Sequence, residues 1–141
     1  MFKKIQYIIT IGFLLLFFGC NNTNQNMPIW YKGDIASAQL QLQSNQLIMI
    51  KLYSDWWKSC KLLDANTLSN ENFQSIANEN LICIKINKNT EVGKKLYDKY
   101  NANSLPYLIF LDKNLNLIAN QSGFINAIEL NHKITKLIAE L

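Results

Sequence analysis

The chain has 141 residues, with fourteen Lys or Arg against ten Asp or Glu and a formal net charge of +4. Lys3 and Lys4 account for two of the basic residues, so the remainder is close to neutral and lacks the clustered basic face that nucleic-acid binding requires. Apolar residues make up 49% of the chain, enough for a core, and three cysteines are too few for a disulfide framework to replace one.

In chain order, Lys3 and Lys4 precede an apolar run from Tyr7 to Phe18. That run is shorter than the roughly 20 residues a bilayer-spanning helix needs, and it reads as the centre of an export signal. It ends on Gly19-Cys20, followed by the polar string Asn21-Asn22-Thr23-Asn24-Gln25-Asn26. A small residue, a cysteine and a polar tether resemble the lipobox of a bacterial lipoprotein, with Phe17 where a leucine is usual. The resemblance implies a signal peptide over 1–19, cleavage before Cys20 and lipidation of Cys20. A flexible tether over 20–28 would then carry one domain over 29–141. The protein is thus expected to be exported and lipid-anchored to a bacterial membrane, periplasmic or outer face. Acyl chains contribute about 0.8 kcal/mol per buried CH₂, so several of them hold a soluble domain on a bilayer. An uncut signal anchor or ordinary secretion are the alternatives.

Asp34 is placed to cap a helix whose buried side carries Ile35, Ala38 and Leu42. Leu47 to Tyr53 is almost wholly apolar, as a parallel strand covered on both faces requires. A helix from about Lys58 follows, with Leu62, Leu63 and Leu68 at its apolar positions, and a second short helix runs from Asn70 to near Asn80. Leu81 to Ile86 alternates, with Ile82, Ile84 and Ile86 on one face and Cys83 and Lys85 on the other. Val92 to Tyr100 reads as helix, with Val92, Leu96 and Tyr100 on one side. Pro106 stands at the mouth of the strand Tyr107–Leu111, which Asp112-Lys113-Asn114 joins to Leu115–Ala119 as a hairpin. Asn126 is expected to cap a last helix bearing Ile128, Ile134, Leu137, Ile138 and Leu141 on its apolar side. The order β-α-β-α-β-β-α after an N-terminal helix specifies an α/β domain, a mixed sheet flanked by helices. Strands before the proline should be parallel and the final pair antiparallel.

The segment Ser54-Asp55-Trp56-Trp57-Lys58-Ser59-Cys60-Lys61 joins the first strand to its helix. Together with the topology it resembles the thioredoxin-like superfamily. The closer likeness is to a periplasmic branch whose sites read Tyr-Ala-Asp-Trp-Cys-x-x-Cys-Lys. Trp30, Asp34 and Ala38 are similar to that branch's opening helix, and Asn101 to Pro106 to the segment that delivers its cis-proline. Leu111-Asp112-Lys113 and Gly123-Phe124 fit its closing hairpin.

That resemblance implies a site with one sulfur missing. In the family a first cysteine, ionised by the helix N-terminus, attacks a disulfide, and a second resolves the mixed disulfide. Cys60 matches the second position; Trp57 occupies the first, and an indole cannot attack a disulfide. Lys51 stands where many relatives carry an acid that moves the resolving proton. The expected function is therefore a degenerate redox site serving as a non-catalytic module that binds a polypeptide partner through Trp56, Trp57, Leu105 and Pro106. The alternative is a residual thiol-disulfide oxidoreductase working through Cys60 alone, its thiolate supported by Lys51. Two further readings stay open: Trp57 either extends the exposed rim or tucks inward to fill the vacancy, and Cys60 is either reactive or inert. Cys83 reads as a small strand filler and His132 as solvated surface. No metal-ligand spacing or phosphate loop is present, and no cofactor is expected.

Overall fold

The structure, a computed structural model, describes residues 27–141. The expected signal segment and Cys20 lie outside the described residues.

Helix α1 (Ile35–Gln41) starts where the Asp34 carboxylate accepts the Ser37 N–H at 2.8 Å. Strand β1 (Leu47–Tyr53) follows, buried along almost its whole length. Helix α2 (Lys58–Leu63) continues without a break into a π-helical turn, Asp64–Leu68. Helix α3 (Glu71–Asn80) is capped by Asn70 and leads directly into β2 (Leu81–Asn87). Helix α4 (Glu91–Lys99) is capped by Thr90, and α5 (Ala127–Ala139) by Asn126. Between them lie β3 (Tyr107–Leu111) and β4 (Leu117–Ser122). In each of these four caps a short polar side chain satisfies a backbone N–H that the first helical turn leaves free.

The four strands form one sheet in the order β2-β1-β3-β4. β1 and β2 are parallel, as their helical connection demands, while β3 is antiparallel to both β1 and β4. Alternation along the strands divides the core in two. Leu47, Met49, Cys83, Leu108 and Phe110 face Phe73 and Ala77 of α3 and Leu130, Ile134 and Leu137 of α5. Ile48, Ile50, Leu52, Ile84, Ile109 and Leu111 face the other way, with Ala38 of α1, Leu96 of α4 and Cys60 of α2. Gly93 allows α4 to start against the end of β2: a Cβ there would lie 2.1 Å from the Asn87 carbonyl oxygen. Among the described residues no helix is long and apolar enough to cross a membrane.

Five expectations from sequence need correction. The last strand starts at Leu117, not Leu115, because Asp112 accepts the N–H groups of both Asn114 and Asn116 and stretches the turn. Leu115 adopts φ 63° within that turn. Ile128 is 82% exposed; it sits two residues, or about 200° of helix rotation, from the buried Leu130. Leu141, beyond the end of α5, is exposed as well. Leu62 faces outward beside the buried Leu63, and Val92, one turn ahead of Leu96, overhangs the free edge of β2.

Candidate functional site

β1 delivers the chain into the site. Ser54, directly after the strand, is buried, and Asp55, Trp56 and Trp57 form the turn that starts α2. Trp57 is the N-cap residue, with extended backbone and no side-chain cap. An indole has a donor only, so it cannot accept from the helix N–H groups and is left free to turn outward. Trp57 is 40% exposed and Trp56 69%, with ring centroids 5.4 Å apart in an edge-to-face arrangement at 65°. Of the two readings of Trp57, the outward one is observed.

Beside the rings lies a pocket of about 160 Å³, lined by Trp56, Trp57, Tyr97, Asn103, Ser104 and Leu105 among others. That volume is below the roughly 300 Å³ at which small-molecule sites begin, but it suits one inserted side chain. The Leu105–Pro106 bond is cis, as the resemblance implied. The expected continuous surface of Trp56, Trp57, Leu105 and Pro106 is not what forms, because Leu105 and Pro106 are both buried. Leu105 belongs to the core and reaches the pocket from beneath, while the Pro106 carbonyl accepts the Gly123 N–H at 2.9 Å. Among the described residues, no backbone hydrogen bond outside the helices and strands engages the Leu105 N–H or carbonyl.

Cys60 sits in the first turn of α2, its N–H bonded to the Trp57 carbonyl at 3.0 Å. It is only 2% exposed. Burial pushes its thiol pKa up; the Ser54 backbone hydrogen bond and the Lys51 charge pull down, and Asp64 and Asp55 push up again. The net direction is up, so the thiol is held protonated at neutral pH. Cys60 borders a second, polar pocket of about 230 Å³ with Lys51, Asp64, Lys61 and Lys85, and it is not among the residues lining the tryptophan pocket. Ser54 borders both, and its hydroxyl is buried without a hydrogen-bond partner.

Lys51, 2% exposed in the middle of the sheet, is ion-paired with Asp64 at the end of α2. Its ammonium also lies 5.4 Å from the Tyr53 ring centroid and 6.0 Å from that of Trp30. With Asp64 as counter-ion, Lys51 has little charge to lend to a Cys60 thiolate. A prediction follows: iodoacetamide should modify native Cys60 more slowly than a free thiol at pH 7.5, accelerating as pH rises through and beyond 9. Alkylation at neutral pH as fast as in the unfolded chain would show an activated thiol. Cys83 is on the other face of the sheet, a free thiol pushed up to about 12 by burial. His132 is exposed on α5, as expected.

Sequence reasoning missed the Lys51–Asp64 pair, Tyr97 and the Ser54 hydroxyl. A lysine in an otherwise apolar strand was the available signal for the first, since a buried ammonium needs a partner. Among the described residues no group of three or more His, Cys, Asp or Glu is placed to hold a metal ion.

Residues 34–138 match the family described as the thioredoxin-like domain. The thiol:disulfide interchange protein DsbD of Haemophilus influenzae is 30% identical over 98 residues, 67% of this chain and 17% of that protein. The protein of the same name from Campylobacter jejuni is 30% identical over 106 residues, 74% of this chain and 18% of its own length. The chain thus spans less than a fifth of the curated relatives it matches. Among solved structures, a thioredoxin from Thermus thermophilus superimposes with a TM-score of 0.69 at 15% identity, covering 82% of this chain and 89% of that one. The oxidised C-terminal domain of Neisseria meningitidis DsbD gives 0.61 at 20% identity, covering 72% and 90%. At such identities these two likenesses speak for the fold alone.

Proposed function

Since the chain belongs to the thioredoxin-like domain family, we propose that it is an exported lipoprotein in which the family's site has kept recognition and lost dithiol exchange. The observation that carries this reading is the Trp57 indole, turned to solvent on the N-cap of α2 where an attacking sulfur would stand, above a buried and protonated Cys60. Exchange by the two-sulfur route needs a thiolate that attacks and a second that resolves. Only the second position holds sulfur here. The two indoles, the pocket beside them and the unengaged Leu105 backbone supply what an extended polypeptide uses: aromatic anchors, a hole for one side chain, and main-chain hydrogen bonds. The single-thiol oxidoreductase reading has no comparable support, because burial works against the thiolate it requires.

The test is partner capture by Trp57→Ala. Loss of an exposed aromatic anchor should weaken binding of a co-purifying polypeptide by about 2 kcal/mol, some 30-fold, while unfolding free energy changes by less than about 1 kcal/mol. Undiminished capture would remove Trp57 from the binding surface. A stability loss of several kcal/mol would make the ring part of the core instead.

For the anchor, Gly19-Cys20 and the polar stretch after it support lipidation at Cys20. Cys20→Ser should move the protein from the membrane pellet to the soluble fraction of lysed cells. Retention in the pellet would contradict the lipid anchor.

A further inference from the structure

A second concavity lies along the free edge of β2, bordering the polar pocket through three shared residues, Trp30, Tyr53 and Lys85, and away from the Trp57 rim. β2 is an outer strand of the described sheet, and among the described residues the chain before α1 bridges its edge at one point, where Trp30 bridges Cys83 and the Tyr31 N–H donates to the Cys83 carbonyl at 2.8 Å. At Gly33-Asp34 the chain turns away to start α1. α4 starts on the far side, at Glu91. The gap is a groove of about 980 Å³ with Tyr31, Ile35, Tyr53, Ile86 and the exposed Val92 on its walls.

Charge at the groove is mixed, with the Asp34 carboxylate on its lining beside two lysines. Lys32 and Lys85 line it, and neither has a carboxylate within ion-pair distance among the described residues. Asp64 and Glu91 are ion-paired with Lys51 and Lys95, and Asp55 accepts from Asn87; Asp34 accepts only from the uncharged Ser37, so its negative charge stays at the α1 end of the groove, away from Lys85. The Lys85 ammonium lies 5.7 Å from the Trp30 ring centroid. It therefore stands where the apolar groove meets the polar pocket, since Trp30, Tyr53 and Lys85 line both.

We propose that this groove binds a small amphipathic anion: a single aliphatic or aromatic body along Tyr31, Ile35, Ile86 and Val92, with a carboxylate-type head at Lys85. The volume is at the upper end of what small-molecule sites enclose, and apolar walls with a few polar groups among them are their usual composition. Two other occupants fit less well. A second copy paired edge to edge would bring Lys85 of each chain together, and an edge lysine opposes such pairing. A peptide strand would gain little ladder, because beyond Cys83 the next outward-facing N–H and C=O belong to Lys85, and the Asn87 carbonyl is already taken by the Thr90 N–H. The inference does not depend on the role proposed for Trp57.

Isothermal titration of the purified domain with decanoate, below its micelle concentration, tests it against decyltrimethylammonium, which carries the same tail and the opposite charge. Decanoate should bind saturably at one per chain, at least tenfold tighter than the cation. Lys85→Glu should reverse that preference. Val92→Asp, which puts a charge on an exposed wall position and leaves the core untouched, should weaken decanoate at least fivefold. Trp57→Ala should leave decanoate binding unchanged. Absence of saturable binding, equal affinity for anion and cation, or indifference to both Lys85→Glu and Val92→Asp would overturn the proposal. So would equal competition by an acidic peptide without an apolar tail, or decanoate-independent dimerisation that closes the groove.

Discussion

Wild type should not accelerate insulin-disulfide reduction by dithiothreitol, and Trp57→Cys should be a reductase at least tenfold above it. Position 57 is the N-cap of α2, so a thiolate there would face the free N–H groups and the positive end of the helix, the environment that makes cysteine acidic. That sulfur would attack the substrate disulfide and expel one substrate thiolate. Cys60 would then attack the mixed disulfide and expel the second, leaving a 57–60 disulfide for dithiothreitol to reduce. Tenfold corresponds to about 1.4 kcal/mol of barrier, modest for such an enzyme. The ceiling is low because burial holds the Cys60 thiol protonated and Lys51, already bound to Asp64, cannot take its proton. Turnover by wild type equal to that of Trp57→Cys would mean that exchange never needed the missing sulfur.

The second large effect concerns stability. Asp64→Asn should destabilise the fold by about 2–4 kcal/mol, because it leaves the Lys51 ammonium in the sheet without a counter-ion; a fully buried pair broken from one side costs about 3–5. The range is lowered because the Asp64 side chain is 40% exposed and some water reaches the pair. Lys51→Met should cost less than about 1 kcal/mol: the apolar residue suits its neighbours in β1, and the abandoned carboxylate can be hydrated. Urea unfolding with an unchanged m-value would read both directly. Equal losses for the two variants would contradict this asymmetry.

Much of the fold could be read from the chain because the relevant signals are local. The apolar run Leu47–Tyr53 could only be an interior strand, and the caps at Asp34 and Asn126 hold in the structure. Parallel β1 and β2 followed by an antiparallel pair came from the connections alone. Where interactions between distant residues decide, sequence reasoning failed. The start of β4 depends on how many N–H groups one Asp112 carboxylate gathers. Val92 has the spacing of a buried residue but lies beyond the sheet edge, where the described residues leave it 55% exposed. At the site, an aromatic ring on an N-cap has no periodicity that says inward or outward. Leu105 and Pro106 lie in the right segment, yet their burial depends on β3 and α4 rather than on neighbours in sequence. The Lys51–Asp64 pair joins a strand to the end of a helix thirteen residues on, a distance no local pattern encodes.

Whether the site has lost exchange is decided by what Cys60 does in a living cell. Acid-quenched cells, alkylated at once and resolved without reducing agent, allow every disulfide formed by this protein to be identified by mass spectrometry. With Trp57 in place of the attacking sulfur, Cys60 should be recovered as the alkylated free thiol, while chemical cross-linking from the tryptophan rim still yields a polypeptide partner. A mixed disulfide joining Cys60 to that partner would contradict the account.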